Sequence, residues 1–399
     1  MKSTFSDNYA TKCTTDLAMR VYTSQLLGKD MGLVLHGGGN TSVKIDDKLY
    51  VKGSGWNLDT IEEAGFPGVD LETLISMAKL EQLSDTDMVS QQREALEDKN
   101  SPNPSIEAIL HAIIPFKYVD HTHADAVVTI SNTPQGEKRL KELYGPNMLF
   151  IDYVMPGFIL AKEIYEQTKG IDWQSLDGII LLNHGVFSFD DNAKQAYEKM
   201  IKIVDKAEVY LKENAVPKVL NFSKSFCKLD VSFTNELKGE VEKLRGCDIV
   251  MKIGSSIEAV YFSQFDNLDD IFKNGPLTPE HVIRTKPFPA IIDNNIKEGL
   301  KAFTSRYKKY FKAHAKDEIM LDLAPRYAII KGVGFVAFGK DKKEAGIIFD
   351  IISHTISAMS LAQNLGGWKS LKPSDIFDME YWELEQAKLR KQAQKDSTC

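Results

Sequence analysis

Cysteine is scarce in this chain, with four in 399 residues. Cys13, Cys227, Cys247 and Cys399 are scattered and form no Cys-x-x-Cys pair, which excludes a disulfide framework and makes a reducing cytoplasm the expected compartment. The opening residues, Met1-Lys2-Ser3-Thr4-Phe5-Ser6-Asp7, lack the apolar core of a signal peptide, and no stretch is expected to span a membrane. Dense basic runs are also missing. Lys308-Lys309 and Lys342-Lys343 are short and diluted by acids, and the formal net charge is −7. Nucleic acid is therefore not an expected partner.

What is present is a globular composition, 43% hydrophobic over a length that suits two domains. The chemistry concentrates in Val119-Asp120-His121-Thr122-His123-Ala124-Asp125. Two histidines separated by one residue on an extended strand point to one face, so both rings can reach one ion. The apolar, β-branched residues 126–130 read as a continuation of that strand. His184 ends a second apolar run, residues 178–182. Three imidazoles with an open fourth position are the ligand set of a catalytic zinc, or of another divalent metal. Glu107 is the candidate acid/base beside them. The competing reading is three ordinary histidines, hydrogen-bonded in the core or at the surface.

Residues 14–28 carry helical spacing. Residues 32–45 read as strand, glycine loop (Gly37-Gly38-Gly39-Asn40) and strand, and Leu49-Tyr50-Val51 leads into a second glycine loop, Gly53-Ser54-Gly55. Backbone amides in such loops suit a phosphate or sugar oxyanion, and equally the turns of an antiparallel sheet. No Gly-Lys-Thr/Ser ending follows Gly39, so this is not a P-loop. Residues 104–114 read as a helix with Ser105 as N-cap, Glu107 in its first turn and His111 one turn on in a pair contact with Glu107. Helices at 135–146 and 159–169, a strand at 148–151 and a long amphipathic helix at 193–213 complete a first domain, placed at residues 1–214.

The second domain, 215–399, is expected to hold strands at 248–254 and 259–262. Residues 328–338 echo 179–189 when Gly334 is set on Gly185, which puts Val333 in the place of His184. Both runs then pass through a charged turn into a long helix. Duplication with loss of the metal ligand and chance likeness of two such units both account for this. Gly332-x-Gly334 does not open a helix, so a dinucleotide loop is not expected. Residues 275–286 gather Thr, His, Arg and Lys that could bind an anion or a phosphorylated sugar, and read in preference as a linker with a solvated charged face. Residues 378–385 read as a docking helix followed by a frayed, charged tail.

Gly39-Asn40-Thr41-Ser42, Gly53-Ser54-Gly55, Pro104-Ser105-Ile106-Glu107, His121-Thr122-His123 and Asn183-His184-Gly185 stand in the order of the class II aldolase/adducin family, which the chain resembles over residues 30–190. Residues 277–286 and 377–386 resemble the middle of bifunctional rhamnulose-1-phosphate aldolase/alcohol dehydrogenases, whose C-terminal dehydrogenase domain is not expected here. The resemblance implies a three-layer α/β/α fold with a largely antiparallel central sheet, beside a second, smaller α/β domain. It implies Zn2+ on His121, His123 and His184, acid/base chemistry at Glu107, and phosphate near Asn40, Thr41, Ser54, Gly55 and Ser105. The implied activity is cleavage of a ketose 1-phosphate, such as rhamnulose 1-phosphate, into dihydroxyacetone phosphate and an aldehyde. The implied assembly is a homo-oligomer. Epimerisation of a sugar phosphate or decarboxylation of a sugar-acid phosphate would use the same site, whereas an adducin-like assembly module would need no histidine trio.

Overall fold

The computed structural model describes residues 1–215 and 229–386; the charged tail expected from residue 387 on lies outside the described residues. Two compact units are present, one of Met1–Ser131 with Gln135–Leu211, the other of Asn132–Pro134 with the residues from Lys212 on.

The first unit is built on seven strands: β1 (Asn40–Ile45), β2 (Lys48–Val51), β3 (Gly68–Asp70), β4 (Tyr118–Thr122), β5 (Met148–Ile151), β6 (Gly178–Leu181) and β7 (Gly185–Asp190). Their order is β3-β2-β1-β4-β7-β6-β5. Every neighbouring pair is antiparallel except β5 with β6. Side chains alternate across each strand, so each face acquires its own helical layer. Val119, Phe187 and Phe189 pack with Met77, Met88, Leu110 and Leu160 from the helices on one side. Val43 and Tyr118 pack with Ala193 and Ala196, and against Leu17 and Met19, on the other. The result is the expected three-layer α/β/α domain.

Three local expectations are corrected. Residues 126–130 do not extend β4, because they lie in a buried helix, Asp125–Ser131. A short run that is apolar all round suits a buried helix as well as a strand. Residues 32–35 form no strand, and the chain enters the sheet at Asn40. Pro104–Glu107 precede a short helix, Ala108–Ile113, with Glu107 itself at the N-cap position. The Lys342–Gln363 helix is long and apolar enough, by length and composition, to cross a bilayer, and 56% of its apolar window is buried inside the protein.

The second unit has a four-stranded sheet, β8 (Val250–Gly254), β9 (Ala290–Ile292), β10 (Tyr327–Ile330) and β11 (Gly334–Gly339), in the order β8-β11-β10-β9. Residues 259–262 are not a strand but part of a helix, Ile257–Phe262, capped by the Ser256 hydroxyl. Residues 275–286 are not a solvated linker either. Thr278, His281, Thr285 and Lys286 are buried, and the Lys286 ammonium donates to the Asp322 carbonyl and sits 4.1 Å over the Tyr307 ring. A helix at Pro373–Glu380 starts earlier than expected, residues 383–386 are helical again, and Glu380 Oε1 accepts from the Tyr307 hydroxyl at 2.7 Å.

This unit repeats the β4–β7 half of the first sheet. β9 runs parallel to β10 as β5 does to β6, and β11 pairs with β8 as β7 does with β4. Even the hairpin bends agree. Asn183 (φ 62°) donates its N–H to Ser131 Oγ at 2.7 Å, and Gly332 (φ 76°) donates to Ser263 Oγ at 3.1 Å. A Cβ on Gly185 would meet the Thr122 carbonyl oxygen at 2.4 Å, and one on Gly334 the Gly254 carbonyl at 2.1 Å. The histidines have no counterpart, because Ile253, Ser255 and Val333 occupy their places.

Candidate metal centre and active site

Strand parity delivers His121. On β4, Tyr118, Asp120 and Thr122 face the Asp16–Gly28 and Ala193–Asn214 helices, where Asp120 makes a buried ion pair with Arg20 at 2.6 Å and the Thr122 hydroxyl meets Met200 Sδ at 3.2 Å. His121 takes the opposite face and stacks on Phe187 at 4.1 Å between ring centroids. Its Nδ1–H donates to the Val186 carbonyl at 3.0 Å, which fixes the tautomer and turns the Nε2 lone pair inward.

His123 lies one residue past the end of β4, so the shared-face argument covers only His121 strictly. The chain turns there into the Asp125–Ser131 helix and still brings His123 Nε2 to 3.1 Å from His121 Nε2. His184 arrives from the β6–β7 hairpin, and the three ring centroids stand 4.9, 5.2 and 5.0 Å apart. One nitrogen from each ring falls within 4.8 Å of the others. Gly185 makes this possible, since a Cβ there would lie 2.9 Å from His121 Cε1 and 3.2 Å from His123 Cδ2. Two nitrogens facing each other at 3.1 Å, one of them unprotonated, are what a shared cation satisfies. The residues fit a metal ion.

Glu107 closes the cluster. It is buried, with Oε2 at 3.5 Å from His121 Nε2 and Oε1 at 3.7 Å from His184 Nε2. Asn40 Nδ2 donates to Oε2 at 2.6 Å. The expected contact between His111 and Glu107 is replaced by a longer connection: His111 Nε2 reaches Asn40 Oδ1, and its Nδ1 meets Ser42 Oγ at 2.7 Å.

The residues assigned to phosphate divide. Ser54 and Ser105 sit in two loops joined by a bridge between Gly53 and Pro104, with the Ser54 N–H on the Asn103 carbonyl at 2.8 Å and the Ser105 N–H on the Lys52 carbonyl at 3.0 Å. Gly55 (φ 89°) is exposed in the same turn. Ser105 Oγ accepts the Glu107 N–H at 3.2 Å, so this corner adjoins the carboxylate. Ser105 is therefore not the N-cap expected of it, a position that Glu107 holds. Asn40 has its amide engaged by Glu107 and His111. Thr41 is corrected: it faces the other side of the sheet, where its hydroxyl meets Ser24 Oγ at 2.7 Å, because adjacent residues of β1 point to opposite faces.

Two site residues escaped the sequence reading. Lys52, at the end of β2, is buried and donates to the Gly37 carbonyl at 3.1 Å, tying the two glycine loops together. Burial pushes its ammonium down to about 8, opposed by the charge of Glu107. A lysine directly before Gly53-Ser54-Gly55 was the available signal. His111 is the other, expected only in a pair contact with Glu107 and not in its place between Asn40 and Ser42.

Residues 19–211 match the family described as the class II aldolase and adducin N-terminal domain. The first unit is a class II aldolase/adducin domain. Residues 229–389 match the description "aldolase class II, second domain". A Bacillus subtilis protein, the uncharacterized oxidoreductase YuxG, is 30% identical over 406 residues, covering 92% of this chain. The chain spans 57% of that relative's length. Among solved structures, the N-terminal class II aldolase domain of a conserved Thermoplasma acidophilum protein is 38% identical, covers 53% of this chain and 99% of its own, and has a TM-score of 0.48. L-fuculose-1-phosphate aldolase from Thermus thermophilus is 16% identical, covers 49% of this chain and 96% of its own, at a TM-score of 0.33. With its histidine cluster set in this domain, the class II aldolase/adducin unit has a metal-dependent, lyase-like active site.

Proposed function

We propose that the enzyme cleaves a ketose 1-phosphate, of the rhamnulose 1-phosphate type, into dihydroxyacetone phosphate and an aldehyde. The observation that carries this reading is the placement of one buried carboxylate against a trio of converging imidazoles, with a lysine and two serine-bearing loops at the adjoining corner.

His121, His123 and His184 would hold a divalent ion, Zn2+ by the nature of the ligand set, which supplies Lewis acidity to a substrate carbonyl oxygen in place of a Schiff-base lysine. Lys52, the Gly55 amide and the hydroxyls of Ser54 and Ser105 bind the phosphate. Glu107, as the carboxylate, takes the O4 proton, the C3–C4 bond breaks with its electrons left on C3, and C4 departs as the aldehyde. Glu107 gives a proton to C3, and in the reverse direction removes it. The buried setting of Glu107 keeps bulk water from competing for that proton.

The test is a panel of deoxyketose 1-phosphates incubated with metal-loaded protein, with products identified by mass and by an aldehyde-specific assay. Aldehyde with dihydroxyacetone phosphate supports the reading. Epimerised sugar phosphate or released carbon dioxide replaces it, and no turnover of any phosphorylated sugar removes it.

A further inference from the structure

Behind Glu107 runs a chain of buried, hydrogen-bonded side chains. Asn40 Nδ2 donates to Glu107 Oε2 at 2.6 Å, Asn40 Oδ1 meets His111 Nε2, and His111 Nδ1 meets Ser42 Oγ at 2.7 Å. All four residues are buried, His111 and Ser42 fully. Asn40 and Ser42 alternate on β1, and therefore share the face that looks onto the Ala108–Ile113 helix carrying His111.

An amide can sit in such a chain two ways round, and the two ends differ chemically. With nitrogen toward Glu107, it supplies a donor to a charged carboxylate. With oxygen toward Glu107, it sets two acceptors 2.6 Å apart unless the carboxyl is protonated. Asn40 cannot decide this alone.

We infer that His111 is a positioning residue, which donates from Nε2 to Asn40 Oδ1 and so holds the Asn40 nitrogen against Glu107 Oε2. The Ser42 hydroxyl enforces the tautomer by donating to Nδ1, which leaves the ring proton on Nε2. The surroundings agree. Phe187 approaches the ring edge-on at 5.5 Å, Lys44 Nζ is spent on the His111 carbonyl at 2.7 Å, and burial keeps the imidazole neutral. With Oε2 anchored, Oε1 is the oxygen left to exchange a proton with substrate; among the described residues no donor reaches it.

The catalytic half of this inference rests on the proposed function, and its structural half does not. The test uses the full-length, metal-loaded protein. Nitrogen-15 spectra of ring-labelled histidine read the His111 tautomer directly, and the expected proton is on Nε2. The second readout is exchange of carbon-bound hydrogen in dihydroxyacetone phosphate with deuterated water. His111→Gln keeps a donor near the Nε2 position, and should stay within about threefold of the parent, whereas His111→Asn and His111→Phe should lose about 10- to 100-fold in kcat with KM and metal content unchanged. A proton on Nδ1, full exchange by His111→Phe, or equal losses in the Gln and Asn variants would overturn the inference. If the parent protein exchanges nothing, the proposed function fails, and the tautomer alone then decides the role of His111.

Discussion

Asn40 stands directly opposite His121 in the β1–β4 ladder. That pairing sets the amide that holds Glu107 beside an imidazole of the metal cluster, on the same face of the sheet. His121 and the amide that holds the carboxylate are therefore positioned by paired strands.

Glu107→Gln keeps the size of the side chain and removes its ability to carry a proton. Metal content should remain that of the parent, while hydrogen exchange of dihydroxyacetone phosphate drops by about 10²- to 10⁴-fold. Elemental analysis and exchange rates on the same preparation separate the two effects. Retained exchange would take Glu107 out of the chemistry.

Gly185→Ala places a methyl 2.4 Å from the Thr122 carbonyl and 2.9 Å from His121 Cε1. The hairpin must move, at a cost of about 1–3 kcal/mol. We expect a folded protein with reduced stability whose metal affinity falls further than its melting temperature suggests. Calorimetry with metal titration measures both.

Lys52 yields a pH dependence. Its ammonium titrates near 8 in the folded protein, below the ordinary 10.5. Beneath pH 8 it is a cation available to phosphate. As pH rises from about 8 toward 10.5, the folded protein releases a proton that the unfolded chain retains, so this group's contribution to stability increases while the cation disappears. KM for a phosphorylated ligand should climb above pH 8. In Lys52→Met, KM should start about 10- to 100-fold higher and lose that limb, because a charge-assisted contact is gone at every pH.

The Arg20–Asp120 pair lies wholly out of water on the far face of β4. Arg20→Met strands the carboxylate and should cost about 3–5 kcal/mol in denaturant unfolding. Arg20→Met combined with Asp120→Asn should recover part of that loss. A single variant as stable as the parent would show that Asp120 takes up a proton without strain.

The sequence carried the chemistry more legibly than the local structure. His121, His123, His184 and Glu107 stand out because few other residue types gather at such strand ends. Residues 126–130 misled, because an unbroken apolar run carries no period to separate strand from buried helix. Residues 259–262 misled in the same way. The polarity of Thr278, His281 and Lys286 suggested solvent, because their partners, Asp322, Tyr307 and the chain around them, are remote in the sequence. Thr41 went to the wrong side for want of a register: a motif read as a string ignores that its neighbours on a strand point apart.

The β4–β7 ladder sets Thr122 against Val186 and His121 against Phe187. Slippage by one residue would carry His184 about 3.3 Å along the strand, whereas ligand distances tolerate about 0.2 Å. An ion seated on all three rings therefore reports a sheet in its correct alignment. A coloured substitute such as cobalt would distinguish finished molecules from collapsed, misaligned ones with the same helical content.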